Sequence, residues 1–332
     1  MKARIISATV FALIFIPAIM IGGIFFLVVA SFGTFMATYE LLNVFGKENA
    51  FCNKLKFLVP FFSVALAIIF YLQGVYSSCY EITLQNYKLV LLSNLDINAS
   101  LYVIYNLLIL PIYILFVCVI LIICTVSKEA SAKDAHCAIT ALTYGGLLFS
   151  SAFALEYVNP IIVIEGESIN ILNFIFKHIN GKLFLFVYGV IAMSDVFALL
   201  VGRRFGKRQL APTISPKKSV EGALGGLIIS SFLGVLFAYL LDILPITKDT
   251  KPGFIILCFA IIFFISALIS ILEQVGDLVA SKFKRQYDVK DYGNIMPGHG
   301  GIMDRFDSTI IVGAMMYASF FIFKIIFIGV NI

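Results

Sequence analysis

The stretch from 276 to 307, GDLVASKFKRQYDVKDYGNIMPGHGGIMDRFD, carries five acids, five bases and one histidine in a chain that is otherwise mostly hydrocarbon. Up to about Arg285 it continues the helix of the apolar run before it. At 100° per residue, Glu273, Asp277, Ser281 and Lys284 share one helical face. Two carboxylates, a hydroxyl and an ammonium make a poor lipid-facing surface, since a carboxylate deep in a bilayer costs about 2.5–3.5 kcal/mol on insertion scales. That face should point into a helix bundle or a water-filled cavity. Met-Pro-Gly-His-Gly-Gly at 296–301 then forbids a regular helix and leaves backbone N–H groups free to approach an anion. Asp304, Arg305 and Asp307 follow at once. Carboxylates brought back beside one another among lysines and arginines suit Mg²⁺ with a polyphosphate, because Mg²⁺ prefers one or two carboxylates, several waters and phosphate oxygens. The implied chemistry is phosphate chemistry at a membrane surface.

The elements that must position these groups are membrane spans. Apolar residues make up 61% of the 332 and charged residues 13%, against roughly 45–50% and 25% in a soluble domain. Runs of about 20 apolar residues recur along the whole length. The amino end is not a cleavable signal, because its apolar stretch continues almost to Gly46, far past the 7–15 residues of such a region. The reading is an all-α polytopic membrane protein of about nine transmembrane helices, near 5–21, 24–45, 57–77, 101–125, 136–155, 183–202, 223–245, 253–275 and 308–330. With a cytoplasmic amino terminus, the inside segments hold Lys2, Arg4, Lys47, Lys54, Lys56, Lys128, Lys133, the six bases from Arg203 to Lys218 and the five from Lys282 to Arg305. The outside segments hold only Lys88, Lys177, Lys182, Lys248 and Lys251. That bias is what the positive-inside rule expects, and it puts both polar-rich segments on the cytoplasmic side. Residues 1–180 form an amino-terminal group of spans, and 181–332 a carboxy-terminal catalytic region with motifs at 194–226 and 276–308. Six cysteines without CxxC spacing indicate neither a zinc site nor a disulfide framework. The net charge of +5 is accounted for by anionic lipid and calls for no nucleic acid.

These residues carry a resemblance. Gly276-Asp277-Leu278, Ser281, Lys284-Arg285, Lys290-Asp291, Gly293, Pro297, His299-Gly300-Gly301, Asp304-Arg305 and Asp307-Ser308 resemble the carboxy-terminal signature of the phosphatidate cytidylyltransferases, or CDP-diacylglycerol synthases. Asp195, Ala198, Gly202-Arg203, Phe205-Gly206-Lys207, Leu210-Ala211-Pro212, Ser215-Pro216-Lys217-Lys218, Glu221-Gly222 and Gly225-Gly226 resemble the same family's central motif. Arg4 and Glu40 fit its amino-terminal region more loosely. The chain departs from the pattern at Glu273, where a Ser is usual, at Ala280, where a Glu is usual, and at Met296, usually aliphatic.

The resemblance implies transfer of CMP from CTP to phosphatidic acid, giving CDP-diacylglycerol and pyrophosphate with Mg²⁺, the identity of any second cation left open. It implies Asp277 and Asp304 as metal ligands, with Asp307 and Asp195 close behind. Lys217, Lys218, Lys284 and Arg285 would hold triphosphate or lipid phosphate, and Arg305 would neutralise the leaving pyrophosphate. Ser215, Ser281, Arg203, Lys207 and Lys290 complete the substrate-binding set, and His299 is a loop histidine in phosphate contact more than an acid catalyst. A homodimer follows from the family alone. A bacterial inner membrane is the expected location, with the endoplasmic reticulum or an organelle membrane as alternatives. Two rival readings stay open: a CTP-dependent lipid kinase, which would transfer the γ-phosphate, and an ion-coupled transporter using Asp195 and Glu273. The bland rival for Asp195 is an ion pair with Arg203 or Arg204. The rival for Ser215–Lys218 is a solvated turn before a helix capped by Ser219 and Glu221.

Overall fold

The computed structural model describes residues 2–78, 82–85, 88–90, 97–157, 162–165, 181–241, 243, 251–298 and 300–329. Its helices are α1 (Lys2–Ile21), α2 (Gly23–Phe45), α3 (Leu58–Ser78), α4 (Ile97–Val126), α5 (Ala132–Ala141), α6 (Phe149–Phe153), α7 (Lys182–Phe205), α8 (Val220–Leu240), α9 (Pro252–Gln286) and α10 (Met303–Gly329). A wide π turn at Leu142–Leu148 joins α5 to α6, so the span expected at 136–155 is one composite rod. The nine expected spans therefore fall on α1 to α4, this composite, and α7 to α10. Among the described residues, Gly23–Phe45, Leu108–Val126, Ala132–Tyr157, Lys182–Phe205, Val220–Leu240 and Pro252–Gln286 are each long and apolar enough to cross a membrane. The architecture is the all-α polytopic one.

Local sequence explains where these rods begin and end. Gly22, at φ 66°, makes the break between α1 and α2, a conformation that side chains disfavour. Ser131 and Asp134 cap each other's backbone N–H groups at the start of α5. Pro252 opens α9, where its missing N–H costs nothing. At 35 residues α9 is about 52 Å long, well beyond a hydrocarbon core of about 30 Å. Its last turns, with Lys284 and Arg285, therefore stand outside the apolar layer.

Short strands decorate the bundle. β1 (Ile82–Gln85) pairs antiparallel with β2 (Lys88–Val90) and parallel with β3 (Ile162–Glu165). β4 (Gln209–Ala211) and β5 (Ser215–Ser219) form an antiparallel hairpin between α7 and α8, with Ala211 opposite Ser215. Ser215–Lys218, for which a solvated turn is the rival reading, thus lies on a strand leading into α8, whose first turn is capped by Ser219 Oγ accepting from the Gly222 N–H at 3.1 Å.

Between helices in lipid, association rests on close packing, because lipid tails are as apolar as leucine. The centre of the bundle is a ring cluster in which Phe306 lies 5.2 Å from both Phe15 and Phe153, and Phe153 stacks on Phe149 at 4.8 Å. Phe232, Phe264, Ile256 and Leu240 are exposed on the outer surface, as lipid-facing residues should be.

Candidate active site

The carboxyl ends of α7 and α9, the amino end of α10 and the β4–β5 hairpin converge on one group of charged side chains. Asp277, one turn beyond the buried Glu273 on α9, pairs with Lys218 of β5 at 2.6 Å. Lys284, two turns further, bridges Asp304 at 3.1 Å and Asp307 at 3.5 Å from the start of α10. Its ammonium also lies 5.3 Å from the centre of the Tyr292 ring. The shared face expected for Glu273, Asp277 and Lys284 is therefore turned inwards. Asp195 of α7 is accessible in a recess, within electrostatic reach of Glu273, Lys218, Asp277 and Arg305. It has no ion pair with Arg203 or Arg204 among the described residues, so the bland reading of Asp195 finds no support.

Asp304 has more to do than its spacing suggests. Oδ2 accepts the Tyr292 N–H at 2.8 Å and the Gly301 N–H at 2.9 Å, while Oδ1 takes the Lys284 ammonium. It clamps the 292–301 loop to α10. Gly300 sits beneath it at φ 88°, where an added Cβ would stand 2.7 Å from Asp304 Oδ2. Only glycine meets both requirements.

Glu40, five residues before the end of α2, is the residue that spacing could not place. It is buried, and its two oxygens accept the N–H groups of Ile302 at 3.0 Å and Met303 at 2.9 Å. Those are orphan donors of a helix start. Their satisfaction lets α10 begin at Met303, five residues before the span expected from hydropathy, and brings Asp304 and Asp307 into helical register. The available signals were a carboxylate inside an otherwise apolar run and its loose fit to the family's amino-terminal region.

Deeper in the membrane layer, Glu273 Oε2 accepts from Ser194 Oγ at 2.7 Å, and Ser194 Oγ lies 2.7 Å from Ser270 Oγ. Glu273 Oε1 is buried with no protein donor and lies against the Asp195 carboxyl. Ala280 is fully buried, and its carbonyl accepts the Tyr292 hydroxyl at 2.9 Å. Burial alone pushes the Lys218 pKa down. The carboxylates of Asp277, Glu273 and Asp195 outweigh it and raise the pKa above the ordinary lysine value.

The remaining expected residues are placed less centrally. Arg285 is exposed and donates from Nε to the Ile214 carbonyl at 3.4 Å, so it ties α9 to the hairpin. Arg203, Lys207, Lys217 and Lys290 are exposed around the same end, and Ser215 and Ser281 are half-buried. Glu221 does not close a capping box. Its Oε2 accepts the N–H groups of Lys207 at 2.9 Å and Arg208 at 3.1 Å, pinning the start of the hairpin. His299 and His178 lie outside the described residues, as does the Arg4 side chain.

Among the described residues no three acids, histidines or cysteines already converge as a cage for a metal ion. Mg²⁺ does not need one, since substrate phosphates and water complete its shell. The donor set fits that ion: hard carboxylate oxygens on Asp277, Asp307 and Asp195 act on one another electrostatically, with Glu273 Oε1 lacking a protein donor behind them.

The model of the Cytidylyltransferase family matches residues 2–323. The chain belongs to this family. Relatives of the chain include the phosphatidate cytidylyltransferase of Staphylococcus saprophyticus, 29% identical over 314 residues that make up 94% of this chain and 96% of that protein. The phosphatidate cytidylyltransferase of Staphylococcus aureus (strain COL) is 27% identical over the same shares. That of Bacillus subtilis (strain 168) is 44% identical over 128 residues, 39% of this chain and 43% of the relative. The chain is thus matched along nearly its whole length by the two staphylococcal relatives.

Proposed function

We propose that this chain transfers the cytidylyl group of CTP to phosphatidate, forming CDP-diacylglycerol and pyrophosphate for phospholipid synthesis. The observation that carries the reading is the paired arrangement of Lys218 on Asp277 and Lys284 between Asp304 and Asp307, at the inner ends of apolar helices. Such a site can receive one substrate from water and the other from the bilayer.

In the reaction a phosphate oxygen of phosphatidate attacks the α-phosphorus of CTP. The bond from that phosphorus to the bridging oxygen of the β-phosphate breaks, and pyrophosphate leaves with the electron pair. The nucleophile is already an anion, so no general base is required. What the protein must supply is approach of two polyanions and neutralisation of charge in the transition state. Lys218, paired with Asp277, and Lys284, paired with Asp304 and Asp307, do this, and the exposed Arg305 would neutralise the leaving pyrophosphate. Lys217, Lys207, Arg203 and Lys290 form an outer collar of cations that draws CTP in. Asp277, with Asp307 and Asp195, would hold Mg²⁺, which supplies Lewis-acid polarisation of the phosphates when bound. Asp304 serves first as the clamp described above. The positive-inside bias supports a site facing the cytoplasm, and the bacterial relatives support a bacterial membrane. A second copy of the chain completes the reading as a homodimer.

Two labels test this. Membranes containing the protein are incubated with phosphatidate, Mg²⁺ and CTP labelled at the α or the γ position, and the lipid is extracted. Lipid-soluble α label that disappears with EDTA and returns with Mg²⁺ is expected. Lipid-soluble γ label would mean a CTP-dependent lipid kinase, and neither label would end both readings.

A further inference from the structure

Beside the charged group, α1 and α2 diverge around a cavity of about 520 Å³ whose lining carries a single polar side chain, Ser7. Ile302 and Phe306 form its floor, and Phe306 lies directly between Arg305 and Asp307 in the chain. Val10 and Ile14 of α1 and Phe32 of α2 form its lips, each about half exposed on the surface that faces lipid. The polar end is bordered by Ile295, Met296 and Pro297, and Ser7 Oγ donates a hydrogen bond to the Pro297 carbonyl at 3.2 Å. At the deep end the cleft is stopped by the Phe15 and Phe153 rings, with Val29 on the wall.

The dimensions suit one occupant. From Ser7 at the polar end to Phe15 at the deep end is eight residues of α1, about 12 Å along its axis. One leaflet of a hydrocarbon core of about 30 Å is about 15 Å thick. An apolar cleft that covers most of one leaflet, open sideways to lipid and floored by Ile302 and Phe306 of the segment that carries Asp304, Arg305 and Asp307, has the polarity profile of a single acyl chain on a phosphate headgroup.

Resting on the cytidylyltransferase reading above, we propose that the cleft between α1 and α2 is the acyl-chain site of the lipid substrate. One chain lies along Phe306 between the two helices, and the phosphate emerges beside Lys284 and Arg305. The depth set by Val29, Phe15 and Phe153 then selects chain length. The second apolar groove, between α8 and α9 around Leu236 and Phe263, ends at no such charged group and is lipid-facing surface.

The test compares dioleoyl with dihexanoyl phosphatidate as acceptor in detergent, with Val29→Trp filling the deep end and Leu236→Trp filling the other groove. Val29→Trp should lower kcat/KM for the dioleoyl acceptor at least tenfold more than for the dihexanoyl one, leaving the KM for CTP unchanged. Leu236→Trp should leave the ratio of the two acceptors within twofold of wild type. Equal ratios in both variants would overturn the proposal. Should Val29→Trp not fold, the wild-type protein is photolabelled with phosphatidate carrying a diazirine at the end of one acyl chain. Label in residues 7–33 is expected, and label confined to α8 and α9 would refute the site. Absence of α-label transfer to either acceptor by the wild type would sink the cytidylyltransferase reading instead, while the photolabel would still locate the chain.

Discussion

Asp304→Asn separates the clamping task of this side chain from a metal-binding one. In the wild type Oδ2 accepts two backbone N–H groups at 2.8 and 2.9 Å, and Oδ1 faces the Lys284 ammonium at 3.1 Å. Asparagine has the same shape but one acceptor oxygen. Turned to keep the Tyr292 and Gly301 bonds, it sets its amide N–H₂ against the ammonium, donor against donor. Turned the other way, it sets that group against two backbone donors, which is worse. The cheaper orientation loses one hydrogen bond to a charged group, about 1.5–3 kcal/mol. The pair is buried, the Asp304 side chain being 4% exposed, so little of this is screened away. Lys284 recovers part of the loss by closing on Asp307 from 3.5 Å. A net cost of about 2 kcal/mol corresponds to roughly thirtyfold in an equilibrium constant. The loop and the start of α10 then leave their native position for much of the time. Transfer of α label from CTP to phosphatidate should fall about thirtyfold in kcat, and the apparent Tm in detergent should drop. The Mg²⁺ concentration for half-maximal rate should move by less than about threefold, since Asp277 and Asp307 remain. An unchanged Tm with that concentration raised tenfold or more would refute the reasoning and make Asp304 a metal ligand first.

Three further perturbations test other joints of the site. Lys218→Met leaves Asp277 beside Asp195 and Glu273 without its cation, and breaking this partly buried pair should cost about 2 kcal/mol, read as roughly thirtyfold in kcat/KM for CTP. Because the Lys218 pKa is raised in the folded protein, its ammonium is present throughout the neutral range and is lost only as pH rises through the folded value. A plot of transfer rate against pH should therefore show no Lys218-dependent fall until pH has risen beyond the ordinary lysine range. Glu40→Gln replaces one of two acceptors facing the Ile302 and Met303 N–H groups with a donor. A loss of about 1–3 kcal/mol in stability is expected, with a wild-type Tm as the contrary result. Gly300→Ala puts a side chain at φ 88° and against Asp304 Oδ2, which should cost about 1–2 kcal/mol from the backbone alone and reduce activity in parallel with Asp304→Asn.

Sequence reasoning reached what depends on composition and on spacing within one helix. Hydropathy located the spans, and helical periodicity put Glu273, Asp277 and Lys284 on one inward face, where the structure has them. The convergence of Asp195 with that face needed the second motif, because a contact between α7 and α9 has no local signature. Glu40 illustrates the limit: its partners are 262 and 263 residues away, and nothing in its neighbours encodes them. Arg285 illustrates another. Its charge suggested a phosphate, yet its Nε meets the Ile214 carbonyl because the hairpin folds back over the end of α9. Two oxygens of one carboxylate can also serve different tasks, which is why Asp304 could be counted among chemistry-bearing residues without its clamp being foreseen.

The departures at 273 and 280 become one structural question. The family pattern would put a hydroxyl where this chain has Glu273 and a carboxylate where it has Ala280, seven residues or about 10.5 Å apart along α9. In this chain Glu273 is held by Ser194 and meets Asp195, while Ala280 is sealed beneath the Tyr292 hydroxyl. This geometry is what a displaced acid would require: Glu273 lies where α7 supplies partners, and the Tyr292 hydroxyl covers the Ala280 carbonyl. Ala280→Glu alone should be the more damaging half of a reversal. It inserts volume into a fully buried position, about 1–3 kcal/mol by overpacking, and adds a buried carboxylate beside Asp277 and Asp304. Glu273→Ser removes a buried acid that lacks one hydrogen-bond partner and should be tolerated in Tm. If the two acids occupy alternative places in one site, the double variant should recover transfer activity lost in Ala280→Glu by more than the product of the single effects predicts. Strict multiplicativity of the two effects on kcat/KM would show that the positions act independently and that Glu273 is not the displaced acid.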